Sequence, residues 1–86
     1  MQVSNTSATI DRTLDVTGCL CPLPLLKLKL GLKEMLPGQV IELLASDATS
    51  TQDIPAFCKL SGHQLVATQQ DGDTYIFRVK KVEASA

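Results

Sequence analysis

The chain has no tryptophan, one tyrosine and two phenylalanines among its 86 residues. Its core must therefore be built mainly from Leu, Ile, Val and Ala. The few aromatics, Phe57, Tyr75 and Phe77, are not interleaved with basic residues, which excludes the stacking platform that single-stranded nucleic acid requires. A formal net charge of −1 supplies no basic footprint either, so direct nucleic-acid binding is not expected. No apolar run reaches the roughly 18 residues that span a bilayer. The opening MQVSNTSAT also lacks the basic and apolar segments of an export signal. The expectation is a cytoplasmic protein without a membrane partner. An odd set of three cysteines, Cys19, Cys21 and Cys58, does not suit a disulfide scaffold and points to reduced thiols that react or are buried. The chain also lacks the partners of familiar thiol chemistries. Its one histidine, His63, cannot be placed beside Cys21 from sequence, and the cysteine spacing is C-x-C and not the C-x-x-C of thioredoxin-type enzymes.

What is present fits one domain with a modest core, leaving any site on the surface or in a shallow groove. Residues 1–9 are polar and expected to be flexible, residues 10–82 form a single domain, and residues 83–86 are a flexible end. Ile10, Leu14 and Val16 alternate with Asp11, Thr13 and Asp15 as in a strand, which Arg12 interrupts, and Gly18 turns the chain. GQVIELLAS, residues 38–46, is a second strand after the Pro37-Gly38 turn signal. HQLVATQQ and TYIFRVKKV are two further strands joined at Asp71-Gly72. Between the second and third strands, Ser50 or Thr49 can cap a helix. Gln52 or Asp53 completes a capping box, Pro55 puts the helix start near Thr51, and Gly62 ends the helix.

Residues 22–36, PLPLLKLKLGLKEML, alternate in a way that resembles a strand. The absence of β-branched residues, the length and a proline suited to N1 make them a helix instead. Leu25, Leu28, Leu32, Met35 and Leu36 share a face that packs on the sheet, while Leu23, Leu26 and Leu30 form a second stripe, set apart by Lys29 and Lys33, with no core of its own. The order β-α-β-α-β-β defines an α+β fold. It is a two-layer α/β sandwich with a four-stranded mixed sheet and two helices on one face.

With Cys21 at N-cap and Pro22 at N1, the sulfur lies at the positive end of the helix dipole, which favours the nucleophilic thiolate. Pro22 and Pro24 stiffen the turn without giving up hydrogen bonds the helix start would use. An activated thiol without an acid–base partner suits a task in which the cysteine itself carries a group between proteins. Sulfur held as a persulfide is such a group.

LDVTGCLCPLPLLKLK resembles the LDxxGxxCPxP signature of the TusA/SirA-like sulfur-carrier family, with Leu14, Asp15, Gly18, Cys21, Pro22 and Pro24 in the matching places. The similarity runs on through MLPGQVIELLASD and TQDIPAFCKLSGHQLV to about residue 81. The resemblance implies the two-layer fold also seen in the C-terminal domain of bacterial translation initiation factor 3. It implies that Cys21 takes sulfane sulfur as a persulfide and relays it, with no cofactor. The donor it implies is a protein such as a cysteine desulfurase or rhodanese. The acceptor would belong to a relay serving transfer-RNA thiolation, molybdenum-cofactor synthesis or sulfur oxidation.

Cys19 is not required by the signature. It is either a small loop residue or a second thiol that attacks a Cys21 persulfide or closes a strained C-x-C disulfide. Cys58, one turn beyond Ile54, reads as a buried small hydrophobe, with a second redox thiol as the sharper alternative. The three cysteines and His63 lack zinc-site spacing, so no metal is expected. His63 reads as a strand-start residue with a local hydrogen bond. Leu23, Leu26, Lys29, Leu30 and Lys33 begin beside Cys21 and form a candidate docking surface for the partners. A redox-sensing or regulatory module using Cys21, or a Cys19/Cys21 switch, is the competing reading.

Overall fold

Four apolar-alternating segments and two leucine- or cap-bearing segments become four strands and two helices. In the computed structural model, which describes residues 10–20 and 22–82, these are β1 (Arg12–Val16), α1 (Leu23–Lys33), β2 (Val40–Ala45), α2 (Ser50–Ser61), β3 (Gln64–Asp71) and β4 (Thr74–Lys80). The sheet order is β1-β2-β4-β3. β1 and β2 run parallel with Leu14 opposite Leu43, and β4 is antiparallel to both β2 and β3. A parallel pair needs a crossover, which α1 supplies. The result is the four-stranded mixed sheet of the expected α+β sandwich.

Period-two alternation sends Val16, Ile41, Leu43, Ala45, Phe77 and Val79 to one face, where all are buried. Leu28 and Leu32 of α1, Met35 just after it, and Ile54 and Cys58 of α2 complete this core. Both helices therefore cover the same face. Gly31 brings α1 close to the sheet, since a Cβ there would meet Ile41 Cδ1 at 3.0 Å. The opposite face carries Glu42 beside Arg78 in register, joined by an ion pair of 3.1 Å.

Several boundaries differ from the sequence expectation. α1 starts at Leu23, with Pro22 at N-cap (φ −99°, ψ 15°) and Pro24 in the first turn. Pro22 therefore does not occupy N1, and position 21 stands one residue before the cap. The helix also stops at Lys33, three residues before Leu36, which precedes Pro37 and so disfavours helical backbone. Leu36 is 68% exposed and not on the core face, and Leu25 is half-buried. Arg12 does not break β1, because its guanidinium reaches Glu34 at 2.7 Å beyond the helix end. α2 begins at Ser50, so Pro55 lies inside it, leaving the Thr51 carbonyl without its usual helical donor. No side-chain capping bond forms at the N-cap, Thr49, because its hydroxyl donates to Asp47 Oδ1 at 2.7 Å. At the hairpin, Asp71 pairs with Thr74 and a two-residue turn, Gly72-Asp73, joins them; a bulge between Leu65 and Ala67 shifts the β3 register. Residues 1–9 and 83–86 lie outside the described residues.

Candidate functional site

Cys21 lies outside the described residues, so the site is built from its neighbours in sequence and space. Parallel strands β1 and β2 end side by side, Val16 opposite Ala45. The loops into α1 and α2 therefore leave the sheet at the same end.

Each loop starts with the same device. Asp15 Oδ1 accepts both the Thr17 N–H (3.0 Å) and the Thr17 hydroxyl (2.6 Å). Asp47 Oδ1 does the same for Thr49, at 3.0 and 2.7 Å. An Asp-x-Thr at the strand end thus closes the turn with side-chain bonds that the strand no longer supplies. The hydrogen bonds from Thr17 hold the Asp15 carboxyl below its ordinary range. Gly18 follows in the left-handed region (φ 85°), open to glycine at no steric cost, and its N–H donates to Ser46 Oγ at 2.7 Å. That bond ties the first loop to the second. The Cys19 N–H then donates to the Val16 carbonyl (3.1 Å), and the Leu23 N–H to the Leu20 carbonyl (2.9 Å). Pro24 is fully buried in the first turn of α1. Asp15, Gly18, Pro22 and Pro24 are thus all parts of one braced strand-to-helix turn.

Of the other two thiols, Cys19 belongs to this turn and Cys58 lies on α2. Cys19 is half-buried and packs against the core, so it is not a freely exposed loop thiol. Cys58 is 3% exposed on the inner stripe of α2, and burial pushes its thiol pKa up. His63 stands just before β3, and its Nδ1 accepts the Val82 N–H at 3.1 Å. Among the described residues no cluster of three or more metal-ligating side chains occurs, and no helix is long and apolar enough to cross a membrane.

Beside the turn, Leu23 and Leu26 are each 46% exposed and Leu30 62%. This second stripe of α1 is therefore open at the surface. Lys29 holds its ammonium 5.6 Å from the Phe57 ring centroid, and Lys29 and Lys33 flank a groove of about 350 Å³ shared with Phe57, His63 and Lys81. The sequence does not join the last three to α1, because nothing in local spacing links the first helix to the second or to the end of β4. The repeated Asp-x-Thr was visible in the sequence and is the signal that could have located both loops.

The fold and site together define a small two-layer α+β domain in which a hydrogen-bonded turn leads from β1 to Pro22 at the start of α1. The family model described as sulfurtransferase TusA matches residues 12–81, and the chain belongs to that family. It is 36% identical over 75 residues to the sulfur carrier protein TusA of Pseudomonas syringae pv. tomato, covering 87% of this chain and 89% of the relative. With the TusA of Pseudomonas entomophila it shares 38% over 71 residues, covering 83% and 89%. A SirA-like protein from Desulfitobacterium hafniense, solved by crystallography, has the same fold. Its TM-score is 0.74 at 24% identity, covering 84% of this chain and 99% of the other.

Proposed function

We propose that this protein is a cytoplasmic sulfur carrier in which residues 10–82 act as one unit and Cys21 holds sulfane sulfur as a persulfide. The thiolate of Cys21 attacks the terminal sulfur of a persulfide on a donor protein. A new S–S bond forms at Cys21 as the donor's S–S bond breaks, and the donor's cysteine leaves as a thiolate. The acceptor repeats the step on the loaded carrier, so sulfur moves with no net oxidation and no cofactor. The donor is of the cysteine desulfurase or rhodanese kind. The acceptor belongs to a sulfur relay of the transfer-RNA thiolation, molybdenum-cofactor or sulfur-oxidation type.

The observation that carries this reading is the braced turn at the start of α1 next to an exposed apolar and lysine surface. The turn is tied to the second loop by the Gly18 N–H and to β1 by the Cys19 N–H, while the Leu20 and Pro22 carbonyls, on either side of position 21, accept from the Leu23 and Leu26 N–H groups of α1. The positive end of the α1 dipole favours thiolate nearby. Leu23, Leu26 and Leu30 with Lys29 and Lys33 offer the docking area that a carrier needs for a donor and an acceptor. Cys19, half-buried against the core, is not needed for the transfer.

Incubation with a cysteine desulfurase and cysteine, followed by intact-mass measurement, tests the reading. The expected result is a gain of one sulfur atom that is lost in Cys21→Ser and kept in Cys19→Ser and Cys58→Ser. No gain with desulfurase, thiosulfate or polysulfide would sink it. A loss of two hydrogens on mild oxidation in place of sulfur uptake would point to the Cys19/Cys21 switch instead.

A further inference from the structure

The two edges of the sheet are guarded differently. β1 is five residues long and carries Arg12 and Asp15, and short length and charge are common means by which an edge is kept from pairing with another chain. β3, the other edge, pairs only with β4 among the described residues. It is the longest of the four strands, with eight residues, and the run QLVATQQ that precedes Asp71 contains no charge and no proline. Its one guard is the bulge between Leu65 and Ala67, which ends regular pairing on that side. The stretch from Ala67 to Asp71 is left regular, in register with β4 from Arg78 to Thr74. Thr68 and Gln70 stand opposite Phe77 and Tyr75, on the face that the helices cover, and Ala67, Gln69 and Asp71 alternate onto the other. Beside this stretch runs a groove of about 400 Å³ between β3 and α2, bordered by Thr68, Gln70 and Tyr75 on the sheet and by Thr51 and Pro55 on the helix. No charged side chain lines it.

We propose that β3 is a dimerisation edge, on which a second copy of this chain lays its own β3 antiparallel to form one continuous eight-stranded sheet. Complementarity selects this occupant. An uncharged edge is matched by an uncharged strand, and the chain itself supplies one of the right length. A two-fold axis through the sheet makes the two strands antiparallel, the same patch on each copy meeting itself. A pairing that uses all five regular residues has its axis at the middle one, Gln69. Gln69 then meets Gln69 of the second copy, amide against amide, Thr68 meets Gln70, hydroxyl against amide, and Ala67 meets Asp71. The two Asp71 carboxylates stand four residues apart along the strands, about 14 Å, which exceeds the screening length of roughly 8 Å at physiological salt. On the helix-covered side, Thr68 and Gln70 of the added strand carry the floor of the uncharged groove across to the second copy. The topology leaves each copy's candidate site open. α1 packs over β1 and β2, on the far half of the sheet from β3, and the axis reverses strand direction, so the two strand-to-helix turns lie at opposite ends of the joined sheet. The inference does not depend on the carrier reading.

Five paired residues a side make an interface of the small, transient class, so association is sought at high concentration. Sedimentation velocity of the full chain, with a reductant present to exclude disulfide-linked pairs, is expected to show the average mass rising from one chain toward two between about 10 μM and about 1 mM. Amide shifts that depend on concentration should centre on residues 67–71. Gln69→Lys and Gln69→Glu each set like charges directly opposite one another at the axis, and each alone is expected to weaken association about fivefold. Mixed in equal amounts, the two variants set opposite charges there and should associate at least as tightly as the parent, a rescue that a damaged fold would not give. Gln69 is exposed, so thermal unfolding of both variants should match the parent's. Dimers of Gln69→Lys as tight as the parent's would place the interface elsewhere and overturn the inference, as would a mixture that associates no better than either variant alone. A parent that stays monomeric at about 1 mM would overturn it too. If such a monomer showed amide shifts at residues 67–71 on addition of a capped QLVATQQ peptide, the edge would belong to a strand from another protein and not to a second copy.

Discussion

Single residues in this chain hold unequal shares of the site. Gly18 illustrates a residue whose backbone, not its side chain, matters. With φ at 85° and no atom within 4 Å of where a Cβ would stand, alanine there would meet no clash yet would have to occupy the left-handed region. Gly18→Ala is expected to cost about 1–2 kcal/mol in a urea titration, and to slow sulfur loading of Cys21 because the turn that relaxes is the one bonded to Ser46. A stability equal to the parent's would show that the turn adopts another conformation at no cost. The cysteines divide by the same logic. Cys58 is explained by burial alone: a small thiol on the inner stripe of α2, its ionised form disfavoured by desolvation. Cys19 packs partly into the core and is only half-buried.

At the scale of elements, α1 does two jobs with one set of leucines. Leu28 and Leu32 are buried against the sheet, while Leu23, Leu26 and Leu30 stay at the surface, a division that helical periodicity gives directly from the sequence. Because the outer stripe adds nothing to the core, Leu26→Glu with Lys29→Glu is expected to leave the melting temperature within a few degrees. Transfer of sulfur from a cysteine desulfurase to Cys21 should fall at least tenfold, an effect of about 1.4 kcal/mol on docking. Unchanged transfer would remove α1 from the docking surface. The order of elements, the mixed sheet and the two faces of α1 were all legible in the sequence, because each rests on a local period of apolar residues. Helix ends were less so. Local preference puts proline at N1, whereas Pro22 stands at N-cap, and the end at Lys33 depended on Pro37 and on Glu34 turning toward Arg12. The site was legible as a motif around Cys21 but not as a place. The Gly18–Ser46 tie and the groove joining Lys29 to His63 and Lys81 are set by long-range packing that no local pattern encodes.

Across the whole molecule, the sheet is closed at the end opposite the cysteine loop by a histidine. His63 precedes β3 while Val82 follows β4, and the bond from the Val82 N–H to His63 Nδ1 fastens the two together. The ring also lies 5.9 Å from that of Phe57. Burial first, and then the nearby Lys81 ammonium, lower the imidazole's pKa below its ordinary value of 6.5. A lowered pKa means that the unfolded chain binds a proton more readily than the folded one, so stability rises with pH through this range. The contribution is fully present above pH 6.5 and is lost as pH falls from there through the lower folded-state value. The geometry gives the same sign, because a proton on Nδ1 turns the acceptor into a donor facing the Val82 N–H. Thermal unfolding followed from about pH 7.5 down to about pH 5 is therefore expected to show a falling midpoint in the parent protein. In His63→Gln, which has no proton to take up, the slope over that range should be much shallower. The Asp15 carboxyl does not confuse the measurement. Its pKa is also lowered, by its bonds to Thr17, but its contribution is present above its ordinary value of 3.8 and is lost only at more acidic pH. If parent and His63→Gln lost stability in parallel between about pH 6.5 and pH 5, the histidine clasp would not be what joins the end of β4 to the start of β3, and the pH dependence would have to come from elsewhere in the chain.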